Sequence, residues 1–221
     1  MIKAVLFDMD GVIFDSERCV IEIWKETARE YHIDNIEYAC RKCLGINAVA
    51  TEKIFKEIYG QDFDYKYYKG KMREHFMEKY GEGRLPLKPN VEDFFIYLKE
   101  KGIKIGLGTS TRQVSAEAEL KWAGLHKYFD ALVYGDMITN SKPNPDIFLK
   151  GMELLGVEPN EVIVVEDSYN GIRAASRAGA YPVMVPDLIA PDEEMESLAY
   201  RIVPKINDIR DIIENLNSLQ K

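Results

Sequence analysis

Cysteine is scarce in this chain, with Cys19, Cys40 and Cys43 the only three among 221 residues. An odd and sparse set excludes a disulfide framework and suits a reducing compartment. Cys40 and Cys43 have the C-x2-C spacing of half a zinc site, but no second pair follows, and His32, His75 and His126 are scattered. Thiols packed on a helix face account for the spacing better than zinc does. Dense basic runs are lacking too, and the net charge of -8 repels a phosphate backbone, so nucleic acid is not expected as a partner. Long apolar runs are missing. The one that follows Met1-Ile2-Lys3 is cut off by Asp8, too short for a signal peptide or a membrane span. No membrane association is expected, and the cytoplasm is the expected compartment. Repeats and low-complexity segments are likewise absent.

What remains is an ordinary globular composition, 46% hydrophobic and 30% charged, with enough apolar material for one large domain or a main domain and a small one. From Ala4 to Phe7 runs a short continuous apolar stretch of the kind that forms a buried parallel strand. Similar runs recur at Ile103 to Leu107, Ala131 to Tyr134, Val162 to Val165 and Tyr181 to Val185. Helical patterns separate them. Asn90 is read as an N-cap with Gly102 closing its helix, Asn144-Pro145 as a helix start leading to Gly156, and Asn170 to Arg177 as a helix closed by Gly179. The tail from Ile206 to Leu219 repeats Ile209, Ile212, Ile213 and Leu216 at helical spacing. This alternation predicts an α/β fold with a doubly wound, Rossmann-like parallel sheet.

Between Ser16 and Gly83 the strand signal disappears. Val20, Trp24, Ala28 and Tyr31 form one apolar stripe, and Ile54, Phe55, Ile58 and Tyr59 another. The segment reads as a small α-helical cap domain, residues 16–83, inserted into a catalytic α/β core made of residues 1–15 and 84–221. Its joints are expected at Phe14 to Ser16 and at Arg84 to Pro89, where Pro86 and Pro89 stiffen the linker.

Ligands of open α/β sheets bind outside the carboxyl ends of the strands. The first such end holds Asp8 and Asp10, the second Thr109, Ser110 and Thr111, the third leads to Lys142, and the fourth holds Glu166 and Asp167. Two carboxylates two residues apart on a strand can face the same side, and they repel each other unless a cation or shared proton intervenes. Mg2+ answers that need with few carboxylates and a bridge to phosphate. A calcium loop from Asp8 fails because its sixth and twelfth positions are Ile13 and Cys19. A dinucleotide loop fails too: Gly106 and Gly108 would need a glycine at position 111, which is Thr. Hydroxyls and free N–H groups around Thr109–Thr111, at a helix start, make an anion site. Lys142 is placed to neutralise carboxylates and a bound phosphoryl group.

These four strand ends resemble the motifs of the haloacid dehalogenase superfamily, in the branch of β-phosphoglucomutases and small sugar-phosphate phosphatases. Leu6-Phe7-Asp8-Met9-Asp10-Gly11-Val12 is similar to the first motif, Thr109 to the second, Ser141-Lys142-Pro143 to the third and Glu166-Asp167-Ser168 to the fourth. The likeness spans essentially the whole chain. It implies a Mg2+-dependent phosphatase acting on a small phosphorylated metabolite. Asp8 would be the nucleophile, Asp10 the acid and base, and Thr109 and Lys142 the groups that hold the phosphoryl oxygens. Asp8, the Asp10 carbonyl and Asp167 would bind the metal, with Glu166 orienting water at it. A monomer is expected, with a dimer as the alternative.

The same resemblance leaves a mutase open, ranked second. Mutases carry a cap arginine shortly after a glycine, where this chain reads Gly45-Ile46-Asn47-Ala48, and a histidine early in the first cap helix, where it reads Val20. Arg112 could still meet a distal anionic group. Of other classes, a non-catalytic phosphate-binding or partner-binding protein would be expected to lose a nucleophile or lysine, and none is lost. Tyr65-Lys66-Tyr67-Tyr68-Lys69 could stack on RNA, but reads better as a packed helix with snorkelling lysines.

Overall fold

The computed structural model describes residues 1–44 and 48–218. The apolar runs become strands: β1 (Ala4–Phe7), β2 (Lys104–Gly108), β3 (Ala131–Val133), β4 (Val162–Glu166), β5 (Tyr181–Met184) and β6 (Arg201–Ile202). They pair in parallel in the order β3-β2-β1-β4-β5-β6, so β1 sits centrally between β2 and β4. Each strand end therefore opens on the same edge of the sheet. The helices are α1 (Ser16–Tyr31), α2 (Ile36–Lys42), α3 (Ala48–Tyr59), α4 (Tyr65–Tyr80), α5 (Val91–Glu100), α6 (Gln113–Trp122), α7 (Asp146–Leu155), α8 (Tyr169–Arg177), α9 (Glu193–Leu198) and α10 (Ile209–Ser218).

Alternation along the strands explains the two-sided packing. Val5, Phe7, Ile105, Leu107, Ile163 and Val165 join one core with α5, α6 and α10. Ala4, Leu6, Val162 and Val164 face the other way, into a core with α7 and α8. Phe7 meets Phe94 and Phe95 of α5 at ring distances of 6.0 and 5.0 Å. Burying one such ring contributes about 1.5–3 kcal/mol. Gly106 and Gly108 are strand residues that let α7 lie close: a Cβ on the first would press into Leu6 and Leu155, and on the second into Phe148.

The helix starts differ in detail from the sequence expectation. Asn90 does precede α5 but adopts φ 65° and makes no side-chain cap, a left-handed setting that asparagine tolerates. The helix expected to begin at Pro145 begins at Asp146, and the Asn144 side chain instead donates to the Ser141 carbonyl at 3.1 Å. Strand β6 was not foreseen; two residues at a sheet edge leave no readable apolar run.

Helices α1–α4 gather around their own cluster of Ile21, Trp24, Ala28, Ile36, Ala39, Cys40, Phe55 and Tyr65. Trp24 lies 5.2 Å from Phe55, and Phe55 lies 4.9 Å from Tyr65. Tyr65 is thus a core residue with Lys69 laid over its ring at 5.6 Å, as the packed-helix reading of this stretch expects. The chain leaves and re-enters the sheet side by side. Phe14 bridges Leu87, Asp15 N donates to the Pro86 carbonyl at 2.9 Å, and Lys88 N donates to the Ile13 carbonyl at 2.8 Å. Beside this ribbon the fully buried Asp187 carboxylate accepts from Lys88 at 2.6 Å and from Arg18 at 3.2 Å. Its neighbour Leu188 packs against the insert's cluster. Of the Gly45–Ala48 stretch compared with the mutases, residues 45–47 lie outside the described residues. Among the described residues no helix is long and apolar enough to cross a membrane.

Candidate active site

Asp8 follows directly on β1, its N–H extending the ladder to the Val165 carbonyl at 3.0 Å, which fixes the carboxylate at the centre of the sheet edge. Lys142 reaches it from the loop before α7. The ammonium donates to Asp8 Oδ1 at 2.5 Å and to Glu166 Oε1 at 2.6 Å, with only 7% of the lysine side chain exposed. Glu166 Oε2 in turn accepts from the Ser168 N–H at 3.2 Å and its hydroxyl at 2.9 Å. Ser168 also caps α8 by accepting from Gly171 N–H at 3.0 Å. Gly171 is required here because a Cβ would overlap the Glu166 carboxyl.

Gly11 has a similar part on the other side. It turns at φ 78°, and a side chain on it would collide with the Asp167 carboxylate. The turn brings Asp10 back so that its Oδ2 accepts from the Thr111 hydroxyl at 2.7 Å. Asp8 and Asp10 line one cavity, yet each is bonded to a different partner. Thr109 is buried at the end of β2, with its hydroxyl accepting from Thr111 N–H at 3.0 Å.

Asp8, Glu166 and Asp167 offer carboxylate oxygens that all lie within 4.8 Å of one another. Burial pushes Asp8 up to about 8; Lys142 opposes the rise, while Glu166 and Asp10 add to it. Burial also raises Asp167 well above the usual carboxylate range, reinforced by Glu166 and Asp8. Burial works against the charge of Lys142 as well, but Asp8 and Glu166 outweigh it and hold the ammonium above the ordinary lysine range. One buried ammonium facing this many hard oxygens is electrostatically incomplete. The donor set fits a hard divalent cation such as Mg2+.

The cavity holds about 650 Å3 and is lined by Asp8, Asp10, Ser110, Lys142 and Asp167 among the residues picked out by the sequence. Glu166 and Thr109 are buried and do not line it, and Thr111 touches the site through its bond to Asp10. Arg112 does not join it; exposed, it occupies the N-cap position of α6, where its carbonyl accepts from Ser115 and Ala116.

A family profile described as haloacid dehalogenase-like hydrolase matches residues 5–185. The chain belongs to this family. The enzyme class expected from the sequence, a phosphoric monoester hydrolase, stands with that membership. A phosphorylated carbohydrates phosphatase of Thermotoga maritima is 36% identical over 177 residues, which cover 80% of this chain and 82% of the relative. The fructose-1-phosphate phosphatase YqaB of Escherichia coli is 32% identical over 184 residues, covering 79% of this chain and 92% of the relative. Among solved structures, β-phosphoglucomutase from Clostridium difficile shares 25% identity and a TM-score of 0.72 over 99% of both chains.

Several cavity residues escaped the sequence reading. Tyr169, Asn170 and Arg173 come from α8, just past the Ser168 of the fourth motif, and Leu188 and Ile189 from the loop after β5. The strand-end rule, carried one helical turn further and applied to β5, would have found them. Glu17 and Leu44, contributed by the helical insert, had no comparable signal.

Proposed function

We propose that the protein is a Mg2+-dependent phosphatase that hydrolyses a small phosphomonoester, a sugar phosphate, through an aspartyl-phosphate on Asp8. One observation carries the reading: Lys142 is shared between Asp8 and Glu166 at 2.5 and 2.6 Å, while the neighbouring Asp10 is held apart by Thr111 at 2.7 Å. Two carboxylates at one strand end are thereby given different work, one as nucleophile and one as proton carrier. Asp8 attacks phosphorus in line. Thr109, Ser110 and Lys142 hold the phosphoryl oxygens. Asp10 protonates the departing oxygen, then takes the proton of the water that cleaves the acyl phosphate. Asp8, the Asp10 carbonyl and Asp167 would hold the ion with Glu166 beside them, and its chemistry is to offset charge on the phosphoryl oxygens.

The substrate class draws support from the two carbohydrate-phosphate phosphatases at 36% and 32% identity. We assign residues 16–83 to a cap that opens on hinges near Asp15 and Pro86 to admit substrate, and we place the enzyme in the cytoplasm. A mutase is the second reading, favoured by the likeness to the Clostridium difficile structure. Against it, Arg112 lies outside the cavity lining.

The test is phosphate release with Mg2+ across a panel of sugar monophosphates, with Asp8→Asn as control. Release well above the control is expected on at least one sugar, and none on any would sink the proposal. A parallel coupled assay with β-glucose 1-phosphate and a bisphosphate primer addresses the mutase; rapid conversion there would reverse the order of the two readings.

A further inference from the structure

The cavity, at about 650 Å3, is the size of a whole small-molecule site, roughly 300–1,000 Å3, and larger than a phosphoryl group requires. Part of its lining has no work in phosphoryl transfer. Arg173 and Asn170 of α8 belong to that part, together with Leu44, Leu188 and Ile189.

Arg173 is held in one orientation. Its Nε and Nη2 donate to the two carboxylate oxygens of Glu194 at 2.7 and 2.5 Å, and its Nη1 donates to Asn170 Oδ1 at 3.0 Å. The Tyr169 ring lies 5.9 Å from the guanidinium carbon. A guanidinium has five N–H donors, so these bonds leave one on Nη1 and one on Nη2 for a ligand. Because Asn170 Oδ1 is engaged, that side chain offers its NH2 group. This part of the lining therefore presents fixed hydrogen-bond donors between apolar side chains.

Charge decides what those donors suit. Glu194 cancels the charge of Arg173, and the lining also carries Glu17 besides Asp8, Asp10 and Asp167. A second anionic group on the substrate would meet these carboxylates and find no uncommitted cation in this lining, because Arg173 is paired with Glu194 and Lys142 is bonded to Asp8 and Glu166. Hydroxyl groups accept from the free donors without that repulsion.

We infer that Arg173 and Asn170 form the subsite that reads the hydroxyls of a neutral, polyhydroxylated leaving group, so that sugar monophosphates are preferred over bisphosphates. The inference rests on the phosphatase reading. The competing role for Arg173 is purely structural, a tie from α8 to Glu194 on α9. The experiment measures kcat and KM for wild type, Arg173→Ala and Asn170→Ala, with melting temperatures. Its substrates are fructose 1-phosphate, glucose 6-phosphate, fructose 1,6-bisphosphate and p-nitrophenyl phosphate, which has no hydroxyls to read. The wild type should show at least about tenfold higher kcat/KM on the better monophosphate than on the bisphosphate, and each variant should raise KM for that monophosphate, about tenfold for Arg173→Ala. The ratio of kcat/KM on the sugar monophosphate to kcat/KM on p-nitrophenyl phosphate should fall in both variants, the unpaired Glu194 of Arg173→Ala affecting both substrates alike. An equal or better bisphosphate, an unchanged sugar KM, or an equal loss on every substrate would each overturn the subsite. Absence of turnover on all four substrates, the aryl ester included, would instead remove the phosphatase reading itself.

Discussion

Around Asp8, carboxylates and one ammonium are locked together by charged hydrogen bonds of 2.5 and 2.6 Å, whereas the helical insert closes on rings, with Trp24, Phe55 and Tyr65 within 4.9 to 6.3 Å of one another. The first arrangement holds repelling charges in a dry place and costs stability; the second gains stability from buried apolar surface. Substitutions in the two regions should therefore separate activity from stability.

The largest effect is expected at the nucleophile. Asp8→Asn should lower kcat by about 10^4-fold or more while the melting temperature holds or rises, since a buried carboxylate is removed. Steady-state phosphate release and thermal melting check both halves. Lys142→Ala comes next, with kcat expected to fall about 10^2–10^3-fold. It should also destabilise by about 3–5 kcal/mol, because Asp8 and Glu166 would be left without their cation, measured by urea unfolding. In the insert, Trp24→Ala should show the reverse pattern. It should cost about 3–5 kcal/mol in unfolding free energy, with kcat per folded molecule nearly retained. A Trp24→Ala protein that lost turnover with unchanged stability would break the division between the two regions.

The smallest effect concerns Glu119 on α6, which lies against the 3-10 turn Gly81–Gly83 where the insert returns. One of its carboxyl oxygens is buried without a hydrogen-bond partner, and burial, then the charge of Asp10, push the group up to about 7. A carboxyl raised on folding leaves the native state holding the extra proton, so its contribution to stability is lost as pH rises through about 7. Glu119→Gln should melt higher than wild type near pH 8 and nearly level with it near pH 5, a difference of about 1 kcal/mol after solvent screening. Equal melting curves at both pH values would show that Glu119 is not strained by its setting.

The two regions also differed in how far the sequence revealed them. A parallel sheet covered on both faces needs continuous apolar runs, so β1, β2 and β4 could be read directly, and the polar residues that end them marked Asp8, Asp10, Thr109 and Glu166. Asn170 and Arg173 lie a turn deeper in α8, where they resemble the polar face of any amphipathic helix. Leu188 reads as a loop residue, and its packing on the insert is a tertiary contact with no local pattern. The left-handed turn at Asn90 likewise replaced a side-chain cap that has the same residue type at the same place.

The aspartyl-phosphate is the claim on which the rest depends, and chemical trapping tests it most directly. In Asp10→Asn the proton carrier is absent, but p-nitrophenyl phosphate has a leaving group that departs without one. The first half-reaction should proceed and the second should stall. Stopping the Mg2+-containing mixture with denaturant, reducing with borohydride and mapping the peptides should show the modification on Asp8 alone. A modification mapped to another residue, or phosphate release undiminished in Asp8→Asn, would contradict the account.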